Sequence, residues 1–272
     1  MPIAPQERAT MKSNEPLKKR YEAVRARVVA AAARSGRGRD DVLLTVVTKF
    51  AAIDQIRELI ELGHVDFGEN RVQNLVQRAA QIEEFLQRHR QLRSAKAVNI
   101  PDQVRWHMIG HIQRNKVRKV VNVARLIHSV DSLRLAEEIQ LVAARRDDPI
   151  EVLLQVNTSG ERTKSGVAPA AAAHLLEQID TMLSIRPRGL MCMAPLVDDP
   201  EVVRPVFERC CELFEEISKS GIGGDRFDIL SMGMSNDFEV AIECGANVVR
   251  VGTAIFGQPQ LPEAREESPA DV

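Results

Sequence analysis

The residues best placed for chemistry begin with Lys49. The run Leu43-Leu-Thr-Val-Val-Thr-Lys49 is apolar and β-branched, the pattern of a buried strand, and it ends on one lysine. An ammonium at the end of such a strand is costly unless it is paired or used. Burial lowers a lysine's pKa and equips it to attack a carbonyl and form a Schiff base. The plainer alternative is that Lys49 snorkels out of the strand end into solvent. A second group lies far along the chain. Ser231-Met-Gly-Met-Ser235 is a small-residue loop leading into a helix, where free N–H groups and the helix dipole favour an anion. Ser235 could instead be a plain N-cap, or serve both roles. Arg250 adds a second cation, and Gly252-Thr253 adds a further run of backbone N–H groups and a hydroxyl.

These groups can share a site only if the fold brings positions 49 and 250 together. From Leu17 to Arg34 the residues Leu17, Tyr21, Val24, Val28 and Val29 recur at helical spacing among charges, and Ser35-Gly-Arg-Gly stops that helix. Strand patterns then follow over Leu43–Lys49, His64–Phe67, Val104–Ile109, Leu126–Ser129, Pro149–Val156, Arg188–Met191, Phe227–Leu230 and Asn247–Val251. Helical patterns separate them: about Ile53–Leu62, a long helix opened by Phe67-Gly-Glu-Asn70, Arg114–Val123, Ser132–Arg146, Pro169–Met182, about Glu201–Lys219 and Ser235–Cys244. Arg88–Pro101 is basic and aperiodic, which reads as a surface loop. Eight strands alternating with helices predict a parallel α/β fold, a single (β/α)8 TIM barrel with an extra N-terminal helix. An open doubly wound sheet is the rival, but no Gly-x-Gly-x-x-Gly follows the first strand. The expected organisation is a flexible tail over 1–15, the barrel over 16–257 and a disordered, acid-rich tail over 258–272.

Barrel active sites form at the C-terminal ends of the strands. Those ends read Lys49, Glu69-Asn70, Gly110-His111, Ser129, Asn157, Met193, Ser231 and Arg250 to Thr253. Closing the barrel sets the eighth strand beside the first, so Arg250 is expected near Lys49. Two cations in one pocket repel unless an anion or electron-rich ligand lies between them. Lysine, arginine and a phosphate cradle suggest pyridoxal 5′-phosphate (PLP), with lysine forming the aldimine and arginine facing the pyridine nitrogen. A phosphosugar aldolase-like enzyme needs the same lysine and phosphate site, so both readings stand on the residues alone.

Composition narrows the classes. The chain has 272 residues, is 44% hydrophobic and carries a formal net charge of −1, which provides no general attraction for nucleic acid or an anionic membrane. No apolar run approaches the roughly 20 residues of a membrane span. The start of the chain lacks the pattern of a secretion signal. The four cysteines, Cys192, Cys210, Cys211 and Cys244, form no C-x-x-C pair, and reduced thiols in a cytoplasmic protein are the expected state. His107 and His111 are four apart, but a strand ends between them, so no metal site is expected. Gly160–Gly166 does not have the order of a Walker loop. The basic helix from Arg114 reads as a solvated outer face.

Several segments together resemble one known family. They are Phe67-Gly-Glu-Asn70, Trp106-His-Met-Ile-Gly110 with Gln113-Arg-Asn-Lys116, Lys164-Ser-Gly166, Arg188-Gly-Leu-Met191, Leu230-Ser-Met-Gly-Met-Ser235 and Val249-Arg-Val-Gly-Thr-Ala-Ile-Phe-Gly257. In this order they resemble the pyridoxal phosphate homeostasis proteins (YggS/PROSC-like), over about Leu43 to Gly257. The resemblance implies a fold-type III barrel like the N-terminal domain of alanine racemase, with PLP bound as an aldimine to Lys49. It further implies that Arg250 faces the pyridine nitrogen, that Ser231, Gly252 and Thr253 hold the phosphate, and that Asn70 and Met193 lie nearby. Lys164 matches a lysine associated with PLP handling away from the main site. The chain departs from many members at Lys49-Phe-Ala-Ala52, where a further lysine or proline is common, which removes a second lysine from any PLP relay.

The function implied is maintenance of intracellular PLP by storage, buffering or delivery, without strong catalysis. PLP is the expected partner, with transient contact to PLP-dependent apoenzymes, in a cytoplasmic monomer. The alternatives are an amino-acid racemase using Lys49 as one base, or the Schiff-base phosphosugar lyase. Two-base racemisation as in alanine racemase needs a tyrosine on the opposite face. This sequence has one tyrosine, Tyr21, in the N-terminal helix, and stops soon after the eighth strand.

Overall fold

A computed structural model describes residues 15–91, 100–161 and 165–258. Eight parallel strands close on themselves in sequence order, each paired with the next and the last with the first. In chain order they are β1 (Leu43–Val47), β2 (Asp66–Glu69), β3 (Arg105–Met108), β4 (Ala124–Val130), β5 (Ile150–Gln155), β6 (Ile185–Met191), β7 (Ile229–Ser231) and β8 (Val248–Val251). The helices are α1 (Leu17–Arg34), α2 (Ile53–Glu61), α3 (Val72–Gln91), α4 (Val117–Val121), α5 (Leu133–Ala143), α6 (Pro169–Asp180), α7 (Arg204–Lys219), α8 (Phe238–Glu243) and α9 (Thr253–Phe256). This is the TIM barrel expected from the alternation.

The apolar residues divide into two layers. The large one lies between strands and helices and includes Val46, Ile56, Phe67, Leu75, Ile127, Leu190, Phe207 and Val249. A small one, Leu126, Leu153 and Met191 with Met193 and Ile229 against it, fills part of the barrel interior. Side chains alternate across a strand, so the inward set on β1 is Leu43, Thr45 and Val47, and the next inward position is Lys49. The same count on β8 gives Val248 and Arg250, then Gly252. Thr45 pairs with Arg250 across the seam, which brings the two ends of the chain's chemistry together.

Helix α1 buries Leu17, Tyr21, Val24, Val28, Ala31 and Ala32 along one stripe. It packs outside the seam, where Arg27 pairs with Glu239 at 2.7 Å and Arg34 with Glu243 at 2.8 Å. Arg20 donates to the carbonyl of Ile255 at 2.6 Å and ties α1 to the segment after β8.

Some expected boundaries move. Arg88–Gln91 are helix, not loop, because Leu86 is buried and Arg88 and Arg90 pair with Glu84 and Glu83 along the same helix. Residues 92–99 of the expected loop lie outside the described residues, as do 1–14 and 259–272 of the expected tails and Lys164. Strand β2 starts two residues later than expected and runs through Gly68, whose bare Cα admits the Thr45 side chain from β1. Arg114–Lys116 form a single 3₁₀ turn, so the helix expected over Arg114–Val123 shortens to α4. Among the described residues, no helix is long and apolar enough to cross a membrane.

Candidate functional site

A cavity of about 700 Å³ opens at the C-terminal ends of the strands, within the range of small-molecule sites. Lys49, Asn70, Met193, Arg250, Gly252 and Thr253 all line it, as the strand-end reading expects.

Lys49 stands two residues beyond β1 and is exposed, with Nζ 4.6 Å from the centre of the Phe50 ring. Desolvation inside a strand end, the expected route to a reactive amine, is therefore not its situation. Its backbone is held from α3. Arg78 donates to the carbonyls of Thr48 and Ala51, on either side of Lys49, and pairs with the buried carboxylate of Glu69. Glu69 also accepts from the Thr48 hydroxyl at 2.6 Å. This clamp fixes where the lysine leaves the barrel.

Arg250 is 3% exposed and lies inside the barrel end. It donates to Ser231 Oγ at 2.6 Å and to the carbonyl of Cys192 at 2.9 Å. Burial lowers its pKa, and the neighbouring Cys192 and Asp237 act in the opposite direction.

Ser231 is placed differently from the expectation. It is fully buried, does not line the cavity, and its hydroxyl is shared between Arg250 and His128 Nδ1, 3.0 Å away. The serine of that loop that reaches the cavity is Ser235. Its hydroxyl accepts from the N–H groups of Gly252 and Ala254, both at 3.2 Å, and so joins the loop after β7 to the segment after β8. The N–H groups of Ser235, Asn236 and Thr253 have no acceptor among the described residues, and all three residues line the cavity. Gly252 is required by packing, since a Cβ there would meet the Val47 carbonyl oxygen at 2.9 Å. Across the cavity, Asn70 has a buried Oδ1 without a partner among the described residues. Gly110 presses on the backbone of that asparagine so closely that a Cβ would lie 2.1 Å from its carbonyl oxygen.

Of the other strand-end residues, Gly110 and His111 reach the cavity but Ser129 and Asn157 do not. Ser129 donates to the Gly110 carbonyl at 2.6 Å. Sequence reasoning missed Asp66 and His128, which lie inside the barrel below the cavity. A polar residue at an inward strand position is the signal that could have found them. Among the described residues, no three histidine, cysteine or carboxylate side chains group as metal ligands.

Comparison with known proteins places the chain in a family. The family described as "Alanine racemase, N-terminal domain" matches residues 21–260. A protein of Aquifex aeolicus named "Pyridoxal phosphate homeostasis protein" is 38% identical over 239 residues, 88% of this chain and 96% of that one. One of the same name from Mycobacterium leprae is 34% identical, with 88% and 91% covered. The chain belongs to the pyridoxal phosphate homeostasis protein family. Among solved structures, PipY of Synechococcus elongatus, described "with PLP bound", aligns with a TM-score of 0.73 at 30% identity, covering 89% of this chain and all of that one. A protein from Bifidobacterium adolescentis aligns with a TM-score of 0.78 at 38% identity, covering 88% of this chain and 94% of that one. The likeness of this pyridoxal phosphate homeostasis family member to alanine racemase of Clostridium difficile is one of fold: 14% identity and a TM-score of 0.64, over 90% of this chain and 57% of that one.

Proposed function

We propose that this protein binds PLP covalently through Lys49 and maintains its supply by storage, buffering or delivery, without turning over a substrate of its own. The observation that carries this reading is the convergence on one cavity of a lysine amine, a guanidinium and the unclaimed N–H groups of Ser235, Asn236 and Thr253. These residues fit an aldehyde, a pyridine ring and a phosphate, which is the set of groups that PLP presents. The relatives named for PLP homeostasis and the PLP-bound PipY support the same ligand.

In this reading Lys49 supplies the amine that takes the aldehyde, and the Arg78 clamp holds its backbone in place. The phosphate sits against the Ser235–Asn236 and Gly252–Thr253 backbone with the Thr253 hydroxyl. Ser231, also expected to hold the phosphate, acts one layer deeper, by anchoring Arg250. The open Oδ1 of Asn70 accepts from a ligand hydroxyl, and Met193 packs nearby. When bound, PLP supplies an electron-withdrawing ring, and an arginine at its nitrogen keeps that nitrogen unprotonated and weakens the electron sink. Such a site holds the cofactor without driving carbanion chemistry.

The position of Tyr21 disfavours a racemase. The only tyrosine of the sequence is buried on the outer helix α1, its hydroxyl 3.1 Å from His64 Nδ1, and does not line the cavity that holds Lys49. The reading extends to a cytoplasmic monomer that meets PLP-dependent apoenzymes transiently, and to a secondary handling role for Lys164.

Adding PLP to wild type and Lys49→Ala and recording absorption tests the proposal. Wild type is expected to show a yellow band that borohydride bleaches, absent from the variant. A wild type that stays colourless overturns the cofactor reading and leaves the phosphosugar lyase.

A further inference from the structure

A hydrogen-bonded path crosses the barrel interior beneath the cavity. It runs from Asp66 on β2 through His107 on β3, His128 on β4 and Ser231 on β7 to Arg250 on β8. Asp66 Oδ1 lies 3.1 Å from His107 Nε2, and His107 Nδ1 lies 3.0 Å from His128 Nε2. His128 Nδ1 lies 3.0 Å from Ser231 Oγ, which accepts from Arg250 Nη1 at 2.6 Å. None of the five is more than 3% exposed. Branched apolar side chains dominate TIM-barrel interiors, and a polar layer there is tolerated only when each of its groups is satisfied.

The ends of the path decide which way its hydrogens point. The Asp66 carboxylate, held by Arg105 Nε at 2.7 Å and Nη2 at 2.6 Å, can only accept, so His107 Nε2 carries a proton. Arg250 can only donate, so Ser231 Oγ accepts from it. Burial above all keeps His128 neutral with one proton to place, and the His107 proton on Nε2 leaves His107 Nδ1 open as an acceptor. On Nε2 that proton meets His107 Nδ1, the Ser231 hydroxyl donates to His128 Nδ1, and every donor has an acceptor. On Nδ1 it would point at Ser231 Oγ, whose own proton would then have no acceptor among the described residues.

A hydroxyl is a rotor, and it holds a guanidinium firmly only while its own proton is taken elsewhere. His128 Nδ1 takes that proton, and His107 and Asp66 fix the tautomer of His128. The other anchor of Arg250, the Cys192 carbonyl, is backbone and cannot turn. We propose that His107 and His128 are positioning residues for Arg250, and that this one-way series of donors from Arg250 to Asp66 holds the guanidinium at the angle that presents its remaining N–H groups to the ring nitrogen of bound PLP. The inference rests on the cofactor reading above.

Two measurements test it. In the protein without PLP, nitrogen–proton correlation spectra of the imidazoles are expected to place the proton of both His107 and His128 on Nε2. A proton on Nδ1 of His128 overturns the series of donors, and this measurement needs no variant to fold. In the PLP-loaded protein, His128→Ala is expected to release the cofactor about tenfold faster, the equivalent of roughly one strong hydrogen bond, and to shift the absorption maximum of the bound chromophore. His128→Asn, whose side-chain oxygen can take the Ser231 proton, is expected to restore both. An unchanged rate and maximum in His128→Ala, or a loss that His128→Asn does not restore, overturns the positioning role. A wild type that takes up no PLP overturns the cofactor reading instead, and the imidazole spectrum still judges the series of donors.

Discussion

At the scale of single residues, the proposed function divides the work between Lys49, an exposed amine, and Arg250, a buried cation. The amine has room to form and release a covalent bond, while the guanidinium is fixed by Ser231 and the Cys192 carbonyl. Replacing Arg250 by Glu is expected to let the ring nitrogen of bound PLP gain a proton, and so to strengthen its electron sink. The result should be slow exchange of the α-proton of alanine in deuterated water, measurable by NMR. Unchanged reactivity with binding intact would contradict the role given to Arg250. The places of Lys49, Arg250 and Thr253 on the cavity were legible because each lies at or just beyond the C-terminal end of a strand, the face where barrel sites form. The deeper role of Ser231 was not, since its partner His128 lies 103 positions away and only barrel closure brings them together.

At the scale of elements, the Arg78 clamp makes α3 responsible for the position of Lys49. Glu69 is fully buried and the Arg78 side chain only 16% exposed, so removing the arginine strands a buried carboxylate. Arg78→Met is expected to cost about 3 kcal/mol in urea unfolding, with part of the loss recovered when Glu69→Gln is added. A neutral Arg78→Met would show that the pair contributes nothing. The junction of α1 with β2 carries a pH dependence. Burial first, only partly offset by Asp66, lowers the pKa of His64 to about 4 from 6.5. The unfolded chain therefore binds the extra proton between those values. The stabilisation is complete above about pH 6.5 and is lost as pH falls toward 4, by about 3 kcal/mol. His64→Gln should flatten the urea-derived stability profile over that window, and an unaltered slope would place its origin elsewhere. Burial raises the pKa of Asp66, but hydrogen bonds from Arg105 and His107 outweigh it and bring the value to about 2, so its contribution is lost only below pH 4. Element order was legible from hydrophobic periodicity, whereas element ends were not. The helix expected from Ser235 starts only at Phe238, because the Ser235 hydroxyl is taken by N–H groups after β8 and Asp237 Oδ1 takes the Met234 N–H.

At the scale of the whole molecule, closure of the barrel turns two distant motifs into one site and gives the interior an unequal filling. Leu126, Leu153 and Met191 make one part apolar, and the series from Asp66 to Arg250 makes another part polar. The alternation of strands and helices reveals the barrel, but which inward residues face one another depends on strand register, which no local pattern encodes. The global arrangement also keeps Tyr21 out of the cavity, on α1 against His64. Purified PLP-loaded protein is therefore expected not to interconvert alanine enantiomers at an enzyme-like rate, as followed by chiral chromatography. Turnover near the median for enzymes, roughly 10 s⁻¹, would favour the racemase. The proposed function stands on covalent attachment of PLP to one lysine. Borohydride reduction of the PLP-loaded protein, followed by proteolysis and mass spectrometry, tests it most directly. The reduced cofactor is expected on the peptide that contains Lys49. Attachment at another lysine with Lys49 unmodified, or on no lysine at all, would contradict it.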